Sequence, residues 1–90
     1  MPRHERTFTI INSLGLHARA AAQLVQTANR YRAEIHVEKD GMQVNGKSIM
    51  GVLTLAAAKG SSIVVSVEGE DADTAMTALA RIIENGFGER

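Results

Sequence analysis

Apolar and polar residues alternate along this chain at two different periods, and the changes of period divide it into elements. Phe8 and Ile10 alternate with Thr7 and Thr9, which predicts a first strand. Asn12-Ser13-Leu14-Gly15 breaks it. From Ala18 the period lengthens: Ala21, Leu24, Val25 and Ala28 recur at i, i+3, i+4, i+7, with Arg19, Gln23, Gln26 and Arg30 on the other side. That is an amphipathic helix of about three turns. Ile35 and Val37 then alternate with Glu34, His36 and Glu38 in a second strand. Asp40-Gly41 follows, a two-residue hairpin signal because both residues tolerate positive φ, and residues 42–44 form the returning strand. Ser48 is a good N-cap for a second helix over residues 49–58, ended by Gly60. Ile63, Val65 and Val67 mark a last strand, with Val64 an exception on the polar side. Asp71 caps a third helix whose apolar face is Ala75, Leu79, Ile82 and Ile83, and Asn85-Gly86 stops it. The order βαββαβα predicts an α+β fold: one four-stranded, mostly antiparallel sheet with three helices packed on one face.

Size and charge narrow the function. Ninety residues suit a single domain over 1–90. Such a chain buries roughly 60% of its unfolded surface, enough for one thin core but not for a deep substrate cavity. A binding or carrier module is therefore favoured over a self-sufficient enzyme. Ten basic and ten acidic residues give no net charge, whereas a nucleic-acid binder carries a basic excess. There are no cysteines, so disulfides and thiolate metal sites are excluded, in keeping with a reducing cytosol. No apolar signal core follows the polar first residues. The longest mainly apolar stretch, residues 49–58, falls short of the ~20 residues that span a bilayer. The expectation is a soluble, cytoplasmic monomer without nucleic-acid partners or membrane insertion.

Gly15-Leu16-His17-Ala18-Arg19 is the run richest in chemistry. It sets a histidine where a glycine-containing loop meets a helix start. The positive end of the helix favours a neutral, nucleophilic imidazole. The first backbone N–H groups, at Ala18 and Arg19, lack helical partners and can hold phosphate oxygens. Arg19 adds a permanent charge with a fork of donors suited to phosphate. Together these could accept and stabilise a phosphoryl group, although a lone histidine at a helix start is more often a cap or a surface residue. His4 in the N-terminal tail and His36 on the outer side of a strand read as surface residues. No two histidines have metal-ligand spacing, so no metal site is expected.

Two further segments bear on function. Residues 41–48, Gly-Met-Gln-Val-Asn-Gly-Lys-Ser, fit the P-loop pattern G-x-x-x-x-G-K-[ST]. A P-loop domain needs a parallel sheet with crossover helices, which 90 residues cannot supply, so nucleotide binding is the weaker alternative. A regulatory binding module without histidine chemistry is the other. The second helix is apolar nearly all round. A helix on one side of a sheet cannot bury its whole circumference, so Ile49, Met50 and Leu53 are expected to stay exposed as a protein-docking patch. Methionine suits a surface that accepts several partners.

Gly15-Leu16-His17-Ala18-Arg19 resembles the active-site motif of the histidine-containing phosphocarrier family, HPr, of the bacterial phosphotransferase system. Asn45-Gly46-Lys47-Ser48-Ile49-Met50-Gly51-Val52 resembles the family's second motif, and Ala57-Ala58-Lys59-Gly60 its usual helix exit. The likeness runs from Phe8 to about Phe87. It implies an open-faced β-sandwich. It also implies a covalent phosphohistidine carrier rather than a stand-alone enzyme, with no cofactor. Enzyme I, charged by phosphoenolpyruvate, would phosphorylate Nδ1 of His17, and the group would pass to sugar-permease or regulatory proteins. By the same resemblance Arg19 steadies the phosphate. Ser48 is the regulatory serine that a dedicated kinase modifies in some bacteria, and Ala22 joins the docking patch. Ala20 stands where the family usually has proline, a swap that costs at most about 1 kcal/mol through unfolded-state entropy. Leu14 and the ending Asn85-Gly86-Phe87-Gly88 are similar to the nitrogen-regulatory branch, whereas the segment around Ser48 is similar to the sugar branch. Both branches stay open.

Overall fold

A computed structural model describes residues 1–89. The elements are β1 (Arg3–Thr9), α1 (Ala18–Ala28), β2 (Glu34–Lys39), β3 (Met42–Asn45), α2 (Ile49–Thr54), β4 (Ser62–Glu68) and α3 (Ala72–Glu84), followed by a 3-10 turn at Gly86–Gly88. The four strands form one sheet in the order β1-β4-β2-β3, antiparallel at every pairing. The predicted α+β architecture holds.

The register explains the two faces. Phe8 pairs with Ile63, Val37 with Val65, and Ile35 with Val67. All six are buried, whereas Ser62, Ser66 and Glu68 alternate to the open face. Against the buried face pack Leu24, Val25 and Ala28 of α1, Val52 of α2, and Ala75, Leu79 and Ile83 of α3. Ala72, Met76 and Ala80 join this core, and Ile82 is only half buried against it. The β2–β3 turn has φ of 51° at Asp40 and 83° at Gly41, the backbone of a type I′ hairpin.

Five local expectations need correction. Strand β1 begins at Arg3, because pairing with β4 continues to Glu68. His4 is therefore a strand residue, not part of a tail, and its Nε2 lies 2.5 Å from Asp73 Oδ1 on α3. Helix α2 ends at Thr54 rather than at residue 58: Leu55 is its C-cap and Ala56 turns left-handed at φ 48°. This exit lets the Ala57 carbonyl accept the Leu16 N–H at 2.8 Å. Gly60 consequently ends no helix; at φ 90° it leads into β4 and donates its N–H to the Ile10 carbonyl at 2.7 Å. Asp71 stands at the N-cap position of α3 but does not cap it. Its carboxylate instead accepts the backbone N–H of Arg32 at 2.8 Å and of Ala33 at 2.9 Å, tying the α1–β2 connection to α3.

Candidate functional site

The P-loop reading fails on geometry. Gly41 lies in the hairpin turn, Met42–Asn45 is β3, and the sheet contains no parallel pair. The Lys47 ammonium donates to the Tyr31 carbonyl at 2.6 Å, so it is occupied in holding the turn after α1.

The loop before α1 is built to present His17. Gly15 adopts φ 65°, and a Cβ there would come within 2.4 Å of the Ala57 carbonyl oxygen. Only glycine allows this approach. The next residue, Leu16, is buried, and its N–H bonds to that same Ala57 carbonyl. The close approach of Gly15 and the Leu16 hydrogen bond thus both tie the loop to the segment after α2. His17 follows as the N-cap residue of α1, with extended backbone and no capping hydrogen bond from its ring. The helix ladder starts with the Ala21 N–H on the His17 carbonyl at 2.8 Å. The amides of Ala18, Arg19 and Ala20 therefore have no helical acceptor. Arg19 is exposed, while Ala20 is buried in the first turn, where its small side chain fits the helix without strain.

The His17 ring is held from the far end of the chain. Its Nε2 lies 2.5 Å from Glu89 Oε2, with the two side chains 28% and 14% exposed. The Asn12 amide bridges the same corner, donating to the Gly15 carbonyl at 2.7 Å and to Glu89 Oε1 at 3.0 Å. These two acceptors fix the orientation of the Asn12 amide, because a flip would set its oxygen against two other oxygens. Asn12 Oδ1 is left buried without a protein partner among the described residues. Gln23 of α1 donates to the Phe87 carbonyl at 3.0 Å, and the Phe87 ring is buried, which fixes the segment carrying Glu89. The Glu89 carboxyl is held below its ordinary range, chiefly by the Asn12 hydrogen bond. The His17 hydrogen bond and the charges of His17 and Arg19 add to this, against a smaller opposing effect of burial.

The remaining candidates lie on α1 and α2. Ser48 is the N-cap of α2, its Oγ accepting the Gly51 N–H at 3.1 Å. Ile49 and Met50 are exposed, at 41% and 74%. Ala22 is half exposed on α1. Leu53 departs from expectation: it is half buried and packs against the core, because the α2 face it occupies turns inward. Leu14, three residues before His17, is also exposed, at 69%. The sequence motifs do not mark Asn12, Gln23 or Glu89. The buried Phe87 beyond the Gly86 helix stop is the one signal that the last segment returns to the body of the protein.

A family model described as the PTS HPr component phosphorylation site matches residues 4–85. The chain is 49% identical to phosphocarrier protein HPr of Xylella fastidiosa over 85 residues, covering 94% of this chain and 96% of that one. Among solved structures, HPr-C-His from Thermoanaerobacter tengcongensis superposes with a TM-score of 0.93 at 47% identity, covering 97% of this chain and 98% of its own. An HPr dimer from the same organism superposes with a TM-score of 0.78 at 48% identity, over 96% and 99% of the two chains.

Proposed function

This chain belongs to the HPr family of phosphocarrier proteins of the phosphotransferase system, and from that premise we propose that His17 is the residue that carries the phosphoryl group. The observation that supports this best is the placing of a partly exposed imidazole at the start of α1, ahead of three backbone amides without helical acceptors. The Nδ1 lone pair attacks the phosphorus of the donor, a P–N bond forms, and the donor's bond to phosphorus breaks with its electron pair. Phosphoryl oxygens then lie within reach of the amides at Ala18 and Arg19 and of the Arg19 guanidinium.

The donor on this reading is enzyme I, and the acceptors are permease or regulatory proteins of the same system. They dock on an apolar surface made of Ala22, Ile49, Met50 and the exposed edge of Leu53. Ser48, immediately before Ile49, is the position where a kinase adds a regulatory phosphate. The protein acts in the cytoplasm and as a monomer; light scattering at working concentration tests the oligomeric state. Incubation with enzyme I and phosphoenolpyruvate should add one acid-labile phosphoryl group by intact mass. His17→Ala should add none, and Arg19→Ala should accept it about tenfold or more slowly, the scale set by losing a charge-assisted hydrogen bond. Phosphorylation of His17→Ala would end this reading.

A further inference from the structure

We propose that Glu89 is a positioning residue for phosphoryl transfer: its carboxylate accepts the Nε2–H of His17 and so keeps the ring's lone pair on Nδ1. This rests on the reading of His17 as the phosphoryl acceptor and extends it to a residue 72 positions away in the sequence. An ionised carboxylate has no proton to give. A contact of 2.5 Å between Glu89 Oε2 and Nε2 therefore requires the hydrogen on Nε2. In the neutral ring that leaves Nδ1 as the free base. The other tautomer would set a nitrogen lone pair against a carboxylate oxygen.

The arrangement differs from an ordinary surface ion pair, which holds two long side chains loosely and contributes little. Here the carboxylate is fixed before the ring reaches it. Asn12 holds Oε1 at 3.0 Å, and the buried Phe87, with its carbonyl bonded to Gln23, anchors the backbone two residues away. The Glu89 side chain is only 14% exposed, so few water molecules compete for it. The carboxylate also matches the charge change of the reaction. When Nδ1 bonds to phosphorus, its lone pair is spent and Nε2 keeps its hydrogen, so the ring gains a positive charge. The Nε2–H···carboxylate bond becomes a bond between opposite charges and strengthens as the P–N bond forms. An orienting carboxylate of this kind sets the tautomer and stabilises the cationic ring without itself taking the proton. Onward transfer breaks the P–N bond and returns the lone pair to Nδ1, with the hydrogen still on Nε2.

The test uses the full chain with Glu89→Ala and Glu89→Gln. Nitrogen-15 spectra of the His17 ring in mildly alkaline buffer should show the Nε2–H form in the wild type and a mixture of both tautomers in Glu89→Ala. With enzyme I and phosphoenolpyruvate, kcat should fall about tenfold or more in Glu89→Ala while KM for the carrier stays unchanged, as expected for one lost charge-assisted hydrogen bond. In Glu89→Gln one acceptor oxygen becomes an NH2 that must face either the Asn12 amide donor or the ring, and the charge is gone, so this variant should also be slow. An unchanged tautomer in Glu89→Ala overturns the proposal. So does an unchanged kcat, or a loss confined to KM. The spectra report the contact whether or not transfer occurs. A wild type with the Nε2–H form that accepts no phosphoryl group would therefore identify the His17 reading, not the contact, as the error.

Discussion

Gly15→Ala tests whether the loop clamp holds His17 in place. Two costs add. At φ 65° an L-residue lies in the left-handed region, which is unfavourable by about 1–2 kcal/mol. The new Cβ would also stand 2.4 Å from the Ala57 carbonyl oxygen and 2.9 Å from Ala58 Cα. Both are backbone atoms, so no rotamer change relieves the contact. The loop must move away by about 1 Å, with an overpacking cost of about 1–3 kcal/mol. The Leu16 N–H···Ala57 bond, at 2.8 Å, stretches in the process. The sum is about 2–5 kcal/mol, or roughly 10–30 °C in Tm for a domain of this size. Gly60→Ala provides the control: its φ is 90°, but nothing lies within 4 Å of the added Cβ, so only the conformational cost of about 1–2 kcal/mol applies. Urea unfolding of both variants, read by circular dichroism, gives the difference due to the clash. If Gly15→Ala is no less stable than Gly60→Ala, the clamp does not exist as described.

Three further outcomes follow from the same structure. Met50→Glu should weaken binding to enzyme I with little loss of stability, because Met50 is 74% exposed, whereas Leu53→Glu should also lower the unfolding midpoint because it sets a charge against the core; equal stability of the two by urea titration would contradict the packing at α2. Ser48→Ala should lose up to about 1 kcal/mol with the Gly51 cap, and Ser48→Asp should stay as stable as the wild type while accepting phosphoryl more slowly; wild-type transfer rates in Ser48→Asp would reduce Ser48 to a cap. Asp71 and Glu89 both have folded-state carboxyls below their ordinary values of 3.8 and 4.5, Asp71 chiefly through the Arg32 amide. Their contributions are therefore fully present above those values and are lost as pH falls through the lower folded-state values, so unfolding midpoints measured down the acid range should drop less steeply in Asp71→Ala and Glu89→Ala than in the wild type.

Local chemistry was legible where the chain's own neighbours decide the conformation. The i, i+3, i+4, i+7 pattern from Ala21 to Ala28 puts four residues in the core because a helix has only one face to give the sheet. Asp40-Gly41 makes its turn because two consecutive positive φ angles are what those residues tolerate. His17 could be placed at a helix start for the same reason. The failures share a different cause. Leu55, Ala56, Ala57 and Ala58 are good helix formers, and nothing in that run signals a stop. The chain leaves the helix at Leu55, and the left-handed Ala56 carries the next residues to where the Ala57 carbonyl meets the Leu16 N–H, some forty residues earlier. Propensity worth a few tenths of a kcal/mol per residue yields to a tertiary hydrogen bond and the packing around it.

Asp71 shows the same rule with the opposite appearance: its residue type and position are those of a cap, yet its carboxylate serves two amides of the α1–β2 connection. At the candidate site the division is sharper still. His17, Arg19 and the unpartnered amides are contiguous, so a motif can contain them. Asn12, Gln23 and Glu89 reach the site from a loop, the middle of a helix and the segment after α3. No spacing in the sequence relates them, because the fold alone brings them together. The proposed nucleophile and the amides proposed to hold phosphate thus lie in one local run, whereas the carboxylate against Nε2 depends on tertiary structure. A change at Phe87 or Gln23, remote in sequence from His17, could therefore alter the chemistry of the ring through the position of Glu89.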